Sequence, residues 1–124
     1  MRPLKILVVE DEALVSMLLT KYLAAVGYEI CACVSTGEEA VQVAKKQHPD
    51  VIIMDRRLAG KMDGLEASRQ IRQFSKQPIV FVTGYIDESV HHEIPKLSPA
   101  VYLIKPVPVT EVKAAIENLM KTTS

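Results

Sequence analysis

The chain has 124 residues, 48% apolar and 24% charged, with a formal net charge of zero. This fits one ordinary domain, expected over residues 1–124. No basic block favours direct nucleic-acid binding, no apolar run could span a bilayer, and Ile6–Val9 is too short for a signal-peptide core, so a cytoplasmic protein without membrane contact is expected.

The first apolar run, Ile6-Leu7-Val8-Val9, predicts a strand over about residues 5–9 and leads into Glu10-Asp11. A helix is predicted from Glu12 to Val26, with Leu14, Met17, Leu18, Tyr22 and Val26 as its apolar face and Gly27 as its stop. The next strand, Tyr28 to Val34, should put Ile30, Ala32 and Val34 on one face and Cys31 with Cys33 on the other. Two cysteines so spaced suit neither a local disulfide nor a four-ligand zinc site. Thr36-Gly37-Glu38-Glu39 opens a second helix, with Ala40, Val43 and Ala44 inward and His48-Pro49-Asp50 as its exit.

Val51-Ile52-Ile53-Met54 predicts a third strand, followed by Asp55 and a loop from Arg56 to Asp63. A third helix is expected from Gly64 to Phe74, anchored by Leu65, Ala67, Ile71 and Phe74. Ile79-Val80-Phe81-Val82 is the fourth strand, followed by Thr83-Gly84. A short helix is expected from Asp87 to Ile94, halted by Pro95. Its adjacent His91 and His92 should diverge, so they cannot grip one metal together. Val101-Tyr102-Leu103-Ile104 is the fifth strand, followed by Lys105-Pro106. The last helix runs from about Val109 to Lys121, with Val112, Ala115, Ile116 and Leu119 inward.

Short runs rich in branched residues read as strands buried on both faces of a sheet. Their alternation with helices argues for a parallel sheet covered on both sides. In such a sheet the polar residues after each run meet at the carboxyl edge, where open parallel sheets bind ligands. Glu10, Asp11 and Asp55 would repel one another there, and magnesium, which takes oxygen ligands, relieves that repulsion. Any one of these acids alone could be a helix cap. Capping does not explain why four strands end in complementary polar groups. Asp55 is the candidate nucleophile for a phosphoryl group. Such a transfer needs positioning and charge neutralisation. Lys105 can supply a charge, Thr83 a hydrogen bond, and Gly84 backbone space.

Taken as an ordered set, Glu10-Asp11, Asp55, Met62-Asp63-Gly64, Thr83-Gly84 and Lys105-Pro106 resemble the response-regulator receiver domain of two-component signalling, essentially over the whole chain. The resemblance implies an α/β, flavodoxin-like, doubly wound sheet of five parallel strands, order 2-1-3-4-5, with five helices. It implies phosphoryl transfer to Asp55 from a phosphohistidine on a histidine kinase or histidine phosphotransfer protein. It implies Mg2+ held by Asp11, Asp55 and the backbone carbonyl of Arg57, with Glu10 acting through water. Thr83 and Lys105 would stabilise the phosphoryl group, and Lys105-Pro106 would be cis. Thr83 and Tyr102 would form the switch. The output face would be helix 4, strand 5 and helix 5, open to a downstream protein partner or to homodimerisation. Helix 4 is expected to be the most mobile helix.

Several positions depart from the family pattern. Ala59 stands where a proline is usual, and Gly60-Lys61 lengthens the loop by one residue. Arg57 and Tyr85 occupy the positions that tune acyl-phosphate lifetime in receivers, and a large pair there could screen the group from water. Phe81-Val82-Thr83-Gly84-Tyr85 is similar to the signature of one receiver subgroup. Three other readings compete. A pseudo-receiver would not need Asp11, Asp55, Thr83 and Lys105 intact. A flavodoxin-like cofactor binder would want a phosphate-cradling loop where Glu10-Asp11-Glu12 stands. A magnesium phosphatase would want a cap or pocket for its leaving group.

Overall fold

The computed structural model describes residues 2–84 and 87–123. The elements are β1 (Lys5–Val9), α1 (Ala13–Ala25), β2 (Glu29–Val34), α2 (Gly37–Gln47), β3 (Val51–Asp55), α3 (Gly64–Arg72), β4 (Ile79–Thr83), α4 (Glu88–Glu93), β5 (Ala100–Ile104) and α5 (Val109–Thr123). All strand pairs are parallel, and the order is β2-β1-β3-β4-β5. The expected flavodoxin-like topology is therefore what the chain adopts. Every residue of β3 and β4 is buried, as is β1 after Lys5. The outer strands differ from expectation: β5 is only half-buried and ends on exposed Ile104. An edge strand has a neighbour on one side alone, so an apolar run there need not mean burial on both faces.

Alternation along the strands divides the core in two. Leu7, Val9, Ile52, Met54, Ile79 and Phe81 face α2, α3 and α4, together with Ala40, Ala44, Leu65 and Ile71. Ile6, Val8, Ile53 and Val80 face α1 and α5, with Leu19, Leu23, Val112 and Ile116. Residues that take side-chain caps start three helices. Thr36 accepts from the Glu39 backbone N–H at 3.1 Å and donates to its carboxylate at 3.0 Å, a reciprocal pair. Asp63 and Asp87 cap α3 and α4 as acceptors alone, from the backbone N–H of Glu66 and of Val90.

The structure corrects four local expectations. The face of α1 assigned to the core lies outside it: Leu14, Met17 and Leu18 are 62%, 52% and 56% exposed, and Val26 is exposed as well. Leu19 and Leu23 are the buried pair instead, with Tyr22 partly buried. The β2 register slips between Ile6 and Leu7 of β1, which pair with Ile30 and Ala32. The bulge falls on Cys31 and changes the faces beyond it. Ile30 packs with the α1 side, whereas Cys31, Ala32 and Val34 pack with the other. Cys33 meets Thr20 of α1 at 3.6 Å, so the cysteines do not share a face. Phe74 lies beyond α3, exposed, under the ammonium of Lys45 at 5.3 Å. Pro95 does not halt the α4 segment, which continues as a 3-10 turn over Ile94–Leu97.

These burials set unequal costs for truncation. Leu23→Ala should destabilise the fold by about 2–4 kcal/mol, and Leu18→Ala by less than about 1 kcal/mol. Urea denaturation of both variants checks the reassigned face. Equal losses would restore the original one.

Candidate functional site

The parallel sheet delivers the polar ends of β1, β3, β4 and β5 to one cleft. Glu10 follows β1, and its N–H is fixed by the carbonyl of Val34 at 2.9 Å. Asp55 ends β3. Gly64 donates to the carbonyl of Arg56 at 2.7 Å, and a Cβ on Gly64 would collide with the carbonyl oxygen of Asp55. The loop after β3 can close against the strand only with glycine there. Lys105 leaves β5 with its N–H on the carbonyl of Thr83 at 2.7 Å, which joins the ends of β4 and β5. The Lys105-Pro106 bond is cis as expected, and Ser98-Pro99 is cis as well.

Glu10, Asp55 and Thr83 are buried, whereas Asp11 is exposed. The ammonium of Lys105 donates to Glu10 Oε1 and Asp55 Oδ2, each at 3.0 Å, and lies 3.7 Å from Glu12 Oε1. Glu10 Oε2 accepts the N–H of Glu12 at 3.0 Å, and Asp55 Oδ1 accepts that of Arg57 at 3.3 Å. Glu10, Asp11 and Asp55 each offer an oxygen, all within 4.8 Å of one another. That donor set, all oxygen and anionic, suits a hard cation such as magnesium. A cleft of about 450 Å³ beside it is lined by Asp11, Glu12, Asp55, Arg57, Thr83, Gly84 and Lys105.

Burial pushes the Glu10 carboxyl up to about 7, and the nearby Asp55 adds to the rise. Burial opposes the charge of Lys105, yet its hydrogen bonds to Asp55 and Glu10 prevail and raise its pKa.

The structure thus brings Glu10, Asp11, Asp55, Arg57, Thr83 and Lys105 to one place. Tyr102 is not in the cleft. It sits on β5 opposite Phe81, two residues before the partner of Thr83, with the His91 ring edge-on at 5.8 Å. Tyr85 lies outside the described residues. The sequence left Glu12 without a role in the site and Arg56, expected beside it, without a partner. Glu12 shares Lys105, and the acidic run Glu10-Asp11-Glu12 was the signal for it. Arg56 pairs with Asp87 at 2.9 Å, and no local pattern links residues so far apart.

A doubly wound parallel sheet with an acidic, lysine-bridged cleft at its carboxyl edge defines the class as flavodoxin-like α/β proteins. The chain belongs to the response regulator receiver domain family, which it matches over residues 6–117. Receiver domains act in two-component systems, with histidine kinases or phosphotransfer proteins and downstream effectors as partners. The transcriptional regulatory protein PdtaR of Mycobacterium tuberculosis is 34% identical over 115 residues, covering 93% of this chain and 56% of PdtaR. The chain spans about half the length of the curated relatives it matches. Among solved structures, chemotaxis protein CheY4 of Vibrio cholerae is similar with a TM-score of 0.85 and 25% identity, over 94% of this chain and 98% of that one. The receiver domain of sensor histidine kinase PA1611 of Pseudomonas aeruginosa has a TM-score of 0.83 and 28% identity, over 96% and 98%. That structure has a magnesium ion coordinated in its active site cleft. No helix among the described residues is long and apolar enough to cross a membrane.

The raised Glu10 carboxyl has a stability consequence. An unfolded carboxyl releases its proton near 4.5, whereas folded Glu10 holds it to about 7. The folded chain binds more protons in that window, so this group's contribution falls as pH rises through it. With a chelator present, Glu10→Gln should unfold a few degrees above the wild type at pH 8, the gap closing toward pH 5. Thermal denaturation across pH tests this, and a less stable variant at pH 8 contradicts it.

Proposed function

We propose that this domain accepts a phosphoryl group on Asp55 from a phosphohistidine and releases it by hydrolysis. The observation that carries the reading is Lys105, whose ammonium reaches both Asp55 and Glu10 at 3.0 Å inside a cleft shared with Asp11 and Thr83. An Asp55 oxygen attacks phosphorus, the phosphorus–nitrogen bond of the donor breaks, and the imidazole leaves. Water later cleaves the acyl phosphate and restores the carboxylate. Lys105 follows the charge as it passes from the carboxylate to the phosphoryl oxygens. Thr83 gives another of those oxygens a hydrogen bond. Asp11, Asp55 and the Arg57 carbonyl, with Glu10 through water, would hold Mg2+. When bound, the ion supplies neutralisation of the phosphoryl charge.

The donor must approach through the cleft mouth. A groove lined by Val15, Leu18, Leu19, Pro106 and Val107 opens from Asp55 and Lys105, with exposed Leu18 on its wall. We assign this apolar border to the histidine kinase or phosphotransfer protein. Thr83 and Tyr102 form the switch, and α4, β5 and α5 present the output to a downstream protein, which includes a second copy of the chain. The reading places the domain in the cytoplasm.

Intact mass after incubation with a small phosphodonor and magnesium tests the core of this reading. The wild type should gain one phosphoryl group, lost with EDTA, and Asp55→Asn should gain none. Equal gain by the variant would displace Asp55 as acceptor.

The lifetime of the product is a separate expectation. Arg57 and Tyr85 are assigned to screening water from the acyl phosphate. Alanine at either should shorten its half-life by about two- to tenfold, a loss of about 1 kcal/mol of barrier. Unchanged decay of the phosphorylated mass would remove both residues from this role.

A further inference from the structure

We propose that the Arg56–Asp87 ion pair is a latch: it holds the start of α4 in its unphosphorylated position and opens when Asp55 becomes an acyl phosphate. The inference rests on Asp55 as phosphoacceptor and goes beyond it, to how the site reaches α4.

The geometry divides one carboxylate between two tasks. Asp87 Oδ1 accepts the N–H of Val90 at 3.1 Å and caps α4. Asp87 Oδ2 accepts from Arg56 Nη1 at 2.9 Å. The side chains are 17% and 29% exposed, so the pair is partly withdrawn from water. The hydrogen bond from Arg56, then the cap, holds the Asp87 carboxyl below its ordinary pKa. Arg56 is also fixed at its backbone, where its carbonyl accepts from Gly64 at the start of α3. The residue next to the phosphoacceptor therefore grips α4 across 31 positions of sequence. A further polar tether, Arg69 of α3 to Glu93 of α4, is longer at 3.6 Å, and its arginine is 42% exposed.

Phosphorylation changes the charge on the residue that immediately precedes Arg56. It replaces a carboxylate by a group of about −1.5 to −2 charge with three strong acceptor oxygens. Guanidinium prefers such oxygens because its fork matches them. The new charge attracts Arg56 and repels Asp87, and both effects act against the pair. The cap to Val90 uses the other oxygen, so α4 stays capped while its tether is released.

Linkage then fixes the sign of the test. A contact that must break on switching opposes the ligand that switches, and removing it strengthens binding of that ligand. Beryllofluoride with magnesium serves as the phosphoryl mimic, and its uptake is followed by fluorine NMR. Asp87→Asn keeps an oxygen for the cap and removes the charge. Arg56→Gln breaks the pair from the other side. Both should bind beryllofluoride roughly three- to tenfold more tightly than the wild type. Unloaded, both should show amide exchange over residues 88–93 raised toward that of the loaded wild type. Wild-type affinity or weaker binding in both variants, with unchanged exchange, overturns the latch alone. A wild type that takes up neither beryllofluoride nor phosphoryl overturns the phosphoacceptor reading, and the latch with it.

Discussion

The arrangement depends on like charges forced together at the edge of a parallel sheet. Carboxylate oxygens within 4.8 Å of one another repel by on the order of 3 kcal/mol per pair at an effective dielectric of about 20. The backbone leaves them little room to separate. Glu10 and Asp55 are buried, their strands are adjacent, and parallel pairing aligns their ends. One lysine answers this repulsion within the chain, and it comes from β5, two strands away from β3. Acidic strand ends therefore bind the far edge of the sheet to its centre. Any ligand that alters the charge at Asp55 also alters what Lys105 and the end of β5 are held by.

The same constraint makes the two halves of the molecule unequal. Val9, Met54 and Phe81 fill the core immediately beneath the cleft, so the central strands cannot shift without opening voids. The α4 side is held differently. Val90, Ile94 and Leu97 are buried in the core, and arginines of the β3–α3 region add polar attachment. Arg56 takes Asp87, Arg69 takes Glu93, and Arg72 donates to the carbonyls of Leu97 and Pro99 at 2.8 and 3.0 Å. Polar tethers can be exchanged one for another at small net cost, whereas a core contact can only be lost. On the proposed phosphoacceptor reading, α4 is the element whose attachment a charge at Asp55 would exchange at least cost.

Much of this was legible in the sequence because buried parallel strands write themselves as uninterrupted apolar runs, and the polar residue ending each run marks the sheet edge. Glu10, Asp55, Thr83 and Lys105 could be placed together on that argument, and the family resemblance supplied the strand order. The face of α1 could not be read. Leu14, Val15, Met17, Leu18, Leu19, Leu23 and Val26 surround the helix, so spacing alone allows more than one inward stripe. The bulge at Cys31 was hidden for a related reason. Alternation assumes an unbroken register, and one extra residue reverses it without any turn residue to announce it. Asp87 could be read as a helix start and Arg56 as the opening of a loop, but not as partners, since their pairing exists only once β3 and β4 lie side by side.

The misread helix carries its own physical argument. A helix that packed with Leu14, Met17 and Leu18 inward would bury its apolar surface, and that packing would be expected if stability alone decided. The chain instead turns Leu19 and Leu23 to the core and leaves three large apolar side chains in water. Scattered exposed leucines are ordinary. Leu14 and Leu18 are one turn apart on the helix, and Leu18 borders a groove that opens onto Asp55 and Lys105, whereas Met17 lines a hollow on the β2 side. About two turns before Leu18 in the chain, Asp11 and Glu12 line the acidic cleft, and Glu12 lines the groove as well. An apolar strip joined to a charged cleft suits a surface covered in passing rather than permanently, because a permanent partner would dehydrate the acids along with the leucines. On the proposed reading, the orientation of α1 answers two demands at once, the core beneath it and a donor's approach to Asp55 beside it.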